Sequence, residues 1–235
     1  MKPIYISIGT QCSTLEVLKE MNIRGKSLPF DWMISTPEFV YTILRLLVVD
    51  NAVIDYIVDS HFFACDKRAS LDTQEHYSID PDGSALFNSK YRVCFPHRLS
   101  SAEEPVTERD KYITRLMRLK ELLLDKNNYI YLIYVSLSSY SGLGNYTIDN
   151  EDVIKDLYPY IHKIDVLLKN IRVDNYKILV FDVAKTKENK IESETTLYVD
   201  LQASSNIVSA VKEKMYSLFD TEQIHFIVDK YSQTD

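Results

Sequence analysis

Glycine is scarce in this chain: five residues in 235, beside seven prolines, three cysteines and one tryptophan. No stretch rich in Gly, Pro or Ser reads as a linker, so one domain over residues 1–235 is expected. A polar, turn-rich excursion around residues 64–90, with a small hairpin, is the expected departure from it. The cysteines, Cys12, Cys65 and Cys94, are odd in number and widely spaced, which argues against a disulfide scaffold or a zinc ribbon. A reducing, cytoplasmic compartment with free thiols follows from that usage. Basic residues are outnumbered, 27 Lys and Arg against 34 Asp and Glu, for a net charge of −7. That balance excludes a general nucleic-acid binder, whose footprint is a basic face. No apolar run approaches the ~18 residues of a membrane span. HExxH, CxxC and clustered metal-ligand spacings are also missing, so neither a metal nor a cofactor is expected.

What the chain does have is apolar residues, 46% of the total, in alternating strand and helix patterns. Ile4 to Ile8 reads as a buried strand, and Pro37 to Val48 as a helix with Thr36 as N-cap and Pro37 in its first turn. Residues 51–63 read as a shorter apolar helix or packed loop. Tyr91 to Phe95 reads as a strand. Pro105 opens a helix to about Asp125, with Ile113, Leu116, Met117 and Leu123 as its apolar stripe. Tyr129 to Val135 is nearly continuous apolar, as in a central strand covered on both faces. A helix from Asn150, a strand over 177–181, a short strand over 196–199, a helix from Ser205 and a strand over 224–228 complete the pattern. The fold expected is α/β, three-layer αβα with a mostly parallel central sheet.

The most informative stretch is Ile4 to Glu16. Gly9 breaks the strand where a tight turn needs its freedom. Ser13 and Glu16 fit a capping box, which predicts a helix from Thr14. Cys12 then lies on a strand-turn-helix elbow just before a helix N-terminus, where a thiol can lose its proton near neutral pH. The competing reading is a buried Cys acting as a small hydrophobe. Leu28-Pro29-Phe30-Asp31-Trp32 reads as a packed loop near the elbow, or as a turn closed by Asp31 with Trp32 in the core.

A thiol nucleophile needs a base, and the base an orienting acceptor. Among five histidines, His97 is best placed, following a strand. His61 reads as packed, His162 and His225 as structural, and His76 lies in the excursion. Asp31 and Asp182 are the candidate orienters, although Asp182 at a strand end is also a common turn or cap residue. Gly142-Leu143-Gly144-Asn145 resembles part of a phosphate-cradling loop without its third glycine or a following Lys-Ser or Lys-Thr. In parallel sheets, sites form outside the carboxyl ends of strands. Gly9 to Cys12, Pro96-His97, Ser136 to Asn145 and Asp182 all follow strand ends and would converge if their strands are parallel neighbours.

Ser7-Ile8-Gly9-Thr10-Gln11-Cys12, with Leu18, Ile23-Arg24 and Pro29-Phe30-Asp31-Trp32, resembles the N-terminal signature of the DUF1796 family, labelled papain-like cysteine peptidases. Phe95-Pro96-His97 matches a later Phe-x-His segment, although the family's Asp after His is here Arg98. The resemblance implies Cys12 as nucleophile and His97 as general base, and a papain-like α+β fold as the alternative architecture.

Three functions remain open. The first is a cysteine-dependent hydrolase, peptidase-like or acyl-transferring. Cys12 and His97 are its pair, Asp31 or Asp182 the orienter, and backbone N–H groups over Gly9, Thr10, Gln11 and Ser13 the oxyanion donors. Its substrate is a peptide, an acyl compound or another small molecule. The second is a non-catalytic module in which the elbow, Phe30 and Trp32 form a ligand or partner pocket. The third is a sugar or nucleotide transferase with Gly142, Gly144 and Asn145 on phosphate. The oligomeric state is left open by the sequence.

Overall fold

A computed structural model describes residues 1–9, 12–62, 77–79, 86–88, 93–95, 105–136, 150–172, 174–182, 190–191, 193–201 and 206–221. For 77–79, 86–88, 94–95, 105–108 and 150–157 it describes the backbone alone. The strands are β1 (Lys2–Ser7), β2 (Tyr77–Ile79), β3 (Leu86–Asn88), β4 (Val93–Phe95), β5 (Asn128–Val135), β6 (Tyr176–Asp182) and β7 (Thr196–Asp200). The helices are α1 (Cys12–Glu20), α2 (Pro37–Val48), α3 (Ile54–Ile57, continued by a π-helical turn over Val58–Phe62), α4 (Pro105–Leu124), α5 (Asn150–Arg172) and α6 (Ile207–Asp220). Expectations resting on residues 80–83, 142–145 and 224–228 lie outside the described residues.

β1, β5, β6 and β7 form one sheet in the order β1-β5-β6-β7, every pair parallel, with Ile4 opposite Ile130 and Leu132 opposite Ile178. Parallel neighbours need crossovers, which the intervening helices supply. The architecture is α/β, not the papain-like α+β alternative.

Alternate side chains leave a strand on opposite faces. Ile6, Ile8, Ile130, Leu132, Tyr134, Ile178 and Val180 pack with residues of α2, α4 and α5, including Phe39, Ile43, Leu116 and Ile164. Tyr5, Tyr131, Ile133, Val135, Leu179 and Phe181 pack with Val17 and Leu18 of α1 and Val211 and Met215 of α6. Burial on both faces explains why β5 reads as a continuous apolar run.

The helix ends follow local chemistry. The Thr36 hydroxyl accepts from the Phe39 N–H at 3.3 Å, with Pro37 in the first turn of α2. α1 closes on Asn22, which has a φ of 55°. The Asn22 N–H donates to Lys19 O and the Ile23 N–H to Leu18 O, so the last carbonyls of the helix are bonded.

Two expectations change. The buried stripe of α4 is Tyr112, Leu116, Leu119 and Leu123, while Met117 is 49% exposed. The stripe's spacing follows the helical period and leaves Met117 one residue off the face. β4 is shorter than expected and pairs antiparallel with β3, in a separate small sheet of order β2-β3-β4. Its short connection from β3 favours a local antiparallel pairing over a crossover. Pro96-His97 therefore do not follow a strand of the parallel sheet, and the argument that all four strand-end groups converge no longer holds. Val93 nonetheless buries its side chain in the α2/α4 core.

Candidate functional site

At the end of β1 the chain turns at Gly9, whose φ of +125° is a conformation L side chains rarely adopt. A Cβ there would lie 2.5 Å from the Ser35 Oγ and 3.3 Å from the Tyr134 ring. Three bonds fix the turn. The Thr14 hydroxyl donates to Gly9 O at 2.6 Å. The Ser35 hydroxyl donates to Ile8 O at 3.2 Å. The Val135 N–H of β5 donates to Gly9 O at 3.4 Å. The elbow is thus tied to α1, to the segment before α2 and to the neighbouring strand.

α1 starts at Cys12, earlier than the expected Thr14. Ser13 lies inside its first turn, buried, and its hydroxyl has no hydrogen-bond partner among the described residues. The expected capping box is therefore not formed; Thr14 makes the contact that anchors the helix.

Cys12 is half-buried in the first turn of α1. Burial pushes its thiol above the ordinary range. Its own backbone N–H and Lys19 pull the other way, while the Glu16 and Asp31 carboxylates add to the rise. Burial thus works against the thiolate expected near neutral pH.

The Pro-Phe-Asp-Trp loop splits by role. Phe30 is fully buried and packs edge-on to Phe39, ring centres 6.3 Å apart. Asp31 is 3% exposed. Its carboxylate accepts the Leu28 N–H at 2.9 Å, and its own N–H donates to Leu28 O, so it closes a turn in both directions. Burial pushes the Asp31 carboxyl up to about 6, against the pull of that N–H and of Arg24, Arg115 and Lys19. Trp32 is only half-buried rather than core, with the Lys19 Nζ 4.2 Å from its ring centre.

Asp182 ends β6 with no exposed surface. It accepts from the Ser136 hydroxyl at 3.0 Å and the Tyr158 hydroxyl at 2.6 Å, and pairs with Lys190 at 2.9 Å. Burial works to raise its carboxyl, but the bonds from Tyr158, Lys190 and Ser136 prevail and hold it low. Lys190 also bonds Asp200 at 2.7 Å. Val135 pairs with Gly9 O on one side and Phe181 on the other, so Asp182 lies about 10 Å from the elbow, two strand spacings across the sheet. Cys12 and Gly9 share the elbow, the Asp31 carboxylate acts on the Cys12 thiol through its charge, and Asp182 lies in a network of its own.

Thr10, Gln11, His97, Gly142, Gly144 and Asn145 lie outside the described residues. His61 is buried in the π-helical turn, edge-on to Tyr56, and His162 lies inside α5, as expected. Sequence reasoning missed Thr14, Ser35, Tyr158 and Lys190. Thr14 sat within the elbow motif, but its partner is five residues back. Lys190 sat in a charged stretch, where a lysine gives no sign of a buried partner. Among the described residues no group of three or more His, Cys, Asp or Glu is arranged to hold a metal ion. No described helix is long and apolar enough to cross a membrane.

A parallel α/β sheet with a cysteine in the first turn of the helix after its first strand is the framework of this protein. The chain belongs to the DUF1796 family, described as "putative papain-like cysteine peptidase", whose model matches residues 3–228. No curated protein and no solved structure matches the chain.

Proposed function

We propose that this protein is a cysteine-dependent hydrolase or acyl transferase in which Cys12 is the nucleophile and His97 the general base. The observation that supports it most is the half-buried Cys12 in the first turn of α1, beside a turn locked by Gly9, Thr14 and Ser35. First-turn N–H groups have no partner within the helix, so those of Cys12 and Ser13 suit an oxyanion forming on an adjacent carbonyl.

A thiol raised by burial is protonated in the resting protein. Activation then requires a base at the moment of attack rather than a standing thiolate. His97 takes the proton as the Cys12 sulfur bonds to the carbonyl carbon. The tetrahedral oxyanion collapses, and the leaving amine or alcohol departs with the proton from His97. The acyl group stays on sulfur as a thioester. Water, deprotonated by His97, attacks the thioester, and the thiol is regenerated; another acceptor in place of water gives acyl transfer. Asp31, whose carboxylate acts on the Cys12 thiol, is the preferred orienter over Asp182, about two strand spacings from the elbow.

The test is release of nitrophenol from a series of acyl nitrophenyl esters and of amine from peptides. Cys12→Ala and His97→Ala are each expected to lower turnover by about 10²-fold or more. Unchanged turnover in folded Cys12→Ala protein refutes the assignment. A second reading, a non-catalytic binding module with the same elbow, is favoured by one observation: burial raises the Cys12 thiol instead of lowering it. Absence of turnover across the series, with ligand binding retained in Cys12→Ala, selects that reading.

A further inference from the structure

Hydrogen bonding at the turn between β1 and α1 is one-sided. Its two described carbonyls are filled. Gly9 O accepts the Thr14 hydroxyl at 2.6 Å and the Val135 N–H at 3.4 Å, and Ile8 O accepts the Ser35 hydroxyl at 3.2 Å. The serine hydroxyls on either side of the turn are not. Ser7, the last residue of β1, is 1% exposed, and Ser13, in the first turn of α1, is 7% exposed. Neither hydroxyl has a hydrogen-bond partner among the described residues. The first-turn N–H groups of α1, a helix of nine residues, have no partner within the helix either.

Buried donors without acceptors are costly and rare; what this turn lacks is an acceptor. Helix side chains lean towards the N-terminus, so Ser13 leans to the end of α1 that carries Cys12. Alternation along β1 puts Ser7 on the sheet face of Tyr5, which packs with Val17 and Leu18 of α1. We propose that the N-terminus of α1 is a pocket for one negatively charged oxygen, to which the Ser13 hydroxyl donates together with the first-turn N–H groups. A serine hydroxyl swings among staggered positions about Cα–Cβ, so it meets an oxygen at the helix end without backbone movement. A helix N-terminus favours negative charge, and hydrogen bonds to a charged oxygen are about twice as strong as neutral ones. The proposal rests on Cys12 being the reacting residue and makes Ser13 a further catalytic residue beside it. As the Cys12 sulfur bonds to the carbonyl carbon, the C=O π pair moves onto oxygen. Ser13 donates to that oxyanion and keeps its own proton; collapse of the oxyanion re-forms C=O as the leaving group departs.

Two alkylating reagents that differ in charge test the pocket without any turnover. Iodoacetate carries a carboxylate oxygen for the helix end while its methylene meets the Cys12 sulfur; iodoacetamide is its neutral counterpart. Alkylation of Cys12 in the folded protein is followed by mass spectrometry, with glutathione as the reference thiol. The expected result is that iodoacetate saturates and is favoured over iodoacetamide by about tenfold more at Cys12 than at glutathione. Ser13→Ala is expected to lower the iodoacetate rate by about tenfold and leave the iodoacetamide rate unchanged, while Ser13→Thr, which keeps a hydroxyl, retains the preference. If Ser13→Ala unfolds, the unsubstituted protein carries the test: acetate should slow iodoacetate and not iodoacetamide. Unselective alkylation, no alkylation of Cys12 by either reagent, an equal loss with both reagents in Ser13→Ala, or no loss in it overturns the pocket. A selective, saturable reaction with iodoacetate in a protein that turns over no ester or peptide keeps the pocket and removes the hydrolase reading. Cys12-dependent turnover with unselective alkylation does the reverse.

Discussion

Burial holds both Cys12 and Asp31 towards their neutral forms, Asp31 in a site closed to water and Cys12 in one that is half open. For Cys12 this opposes the thiolate that a helix N-terminus favours. For Asp31 it has a consequence for stability. The folded protein binds the Asp31 proton up to about pH 6, whereas the unfolded chain releases it near pH 3.9. Between those values the folded state holds more protons, so stability falls as pH rises through that window and is level above it. The full effect is of order 3 kcal/mol. Asp31→Asn keeps an oxygen for the Leu28 N–H and removes the titration. Urea midpoints across about pH 4 to 6 are expected to decline in the parent protein and stay flat in Asp31→Asn; parallel profiles contradict the burial argument. Asp182 has the opposite sign: held low, it contributes stability above its unfolded value that is lost only as pH falls through its folded one.

Helices and strands were legible where local chemistry decides them. Thr36-Pro37 announced α2, and the apolar runs announced β5 and β6. What local chemistry does not decide was misread. The start of α1 turns on a hydrogen bond between Thr14 and Gly9, and the buried stripe of α4 turns on which residues meet Phe62 and the sheet. The clearest example is Arg172, the last residue of α5, which reads as an ordinary basic residue at a helix end. It is 1% exposed and donates to the carbonyls of Leu122, Leu123, Asp125, Asn128 and Asn175. One guanidinium thereby satisfies the end of α4 and the entries to β5 and β6. Arg172→Gln is expected to cost about 3 kcal/mol in urea denaturation, since five carbonyls, that of Leu123 buried and the rest partly so, lose their donor together. Arg172→Lys should recover little of it, because a point charge cannot reproduce the planar fork. A loss below about 0.5 kcal/mol contradicts this role.

Across the whole molecule, alternating strands and helices announced the α/β class, and Trp32 of the Pro-Phe-Asp-Trp loop lies against Lys19 of α1. The pairing partner of each strand was not legible. Tyr91 to Phe95 has the composition of a sheet strand, yet β4 joins an antiparallel hairpin because its neighbour in sequence is close at hand. The account rests on Cys12 being the residue that takes the acyl group. The most direct measurement is peptide-resolved mass spectrometry of the folded protein after brief reaction with a nitrophenyl ester near pH 7.5, a value about one unit below the usual thiol range. A single acyl group on Cys12, missing in His97→Ala and removed by water or an amine on standing, is the predicted result. Acylation of other residues with Cys12 untouched until the protein is unfolded would contradict it.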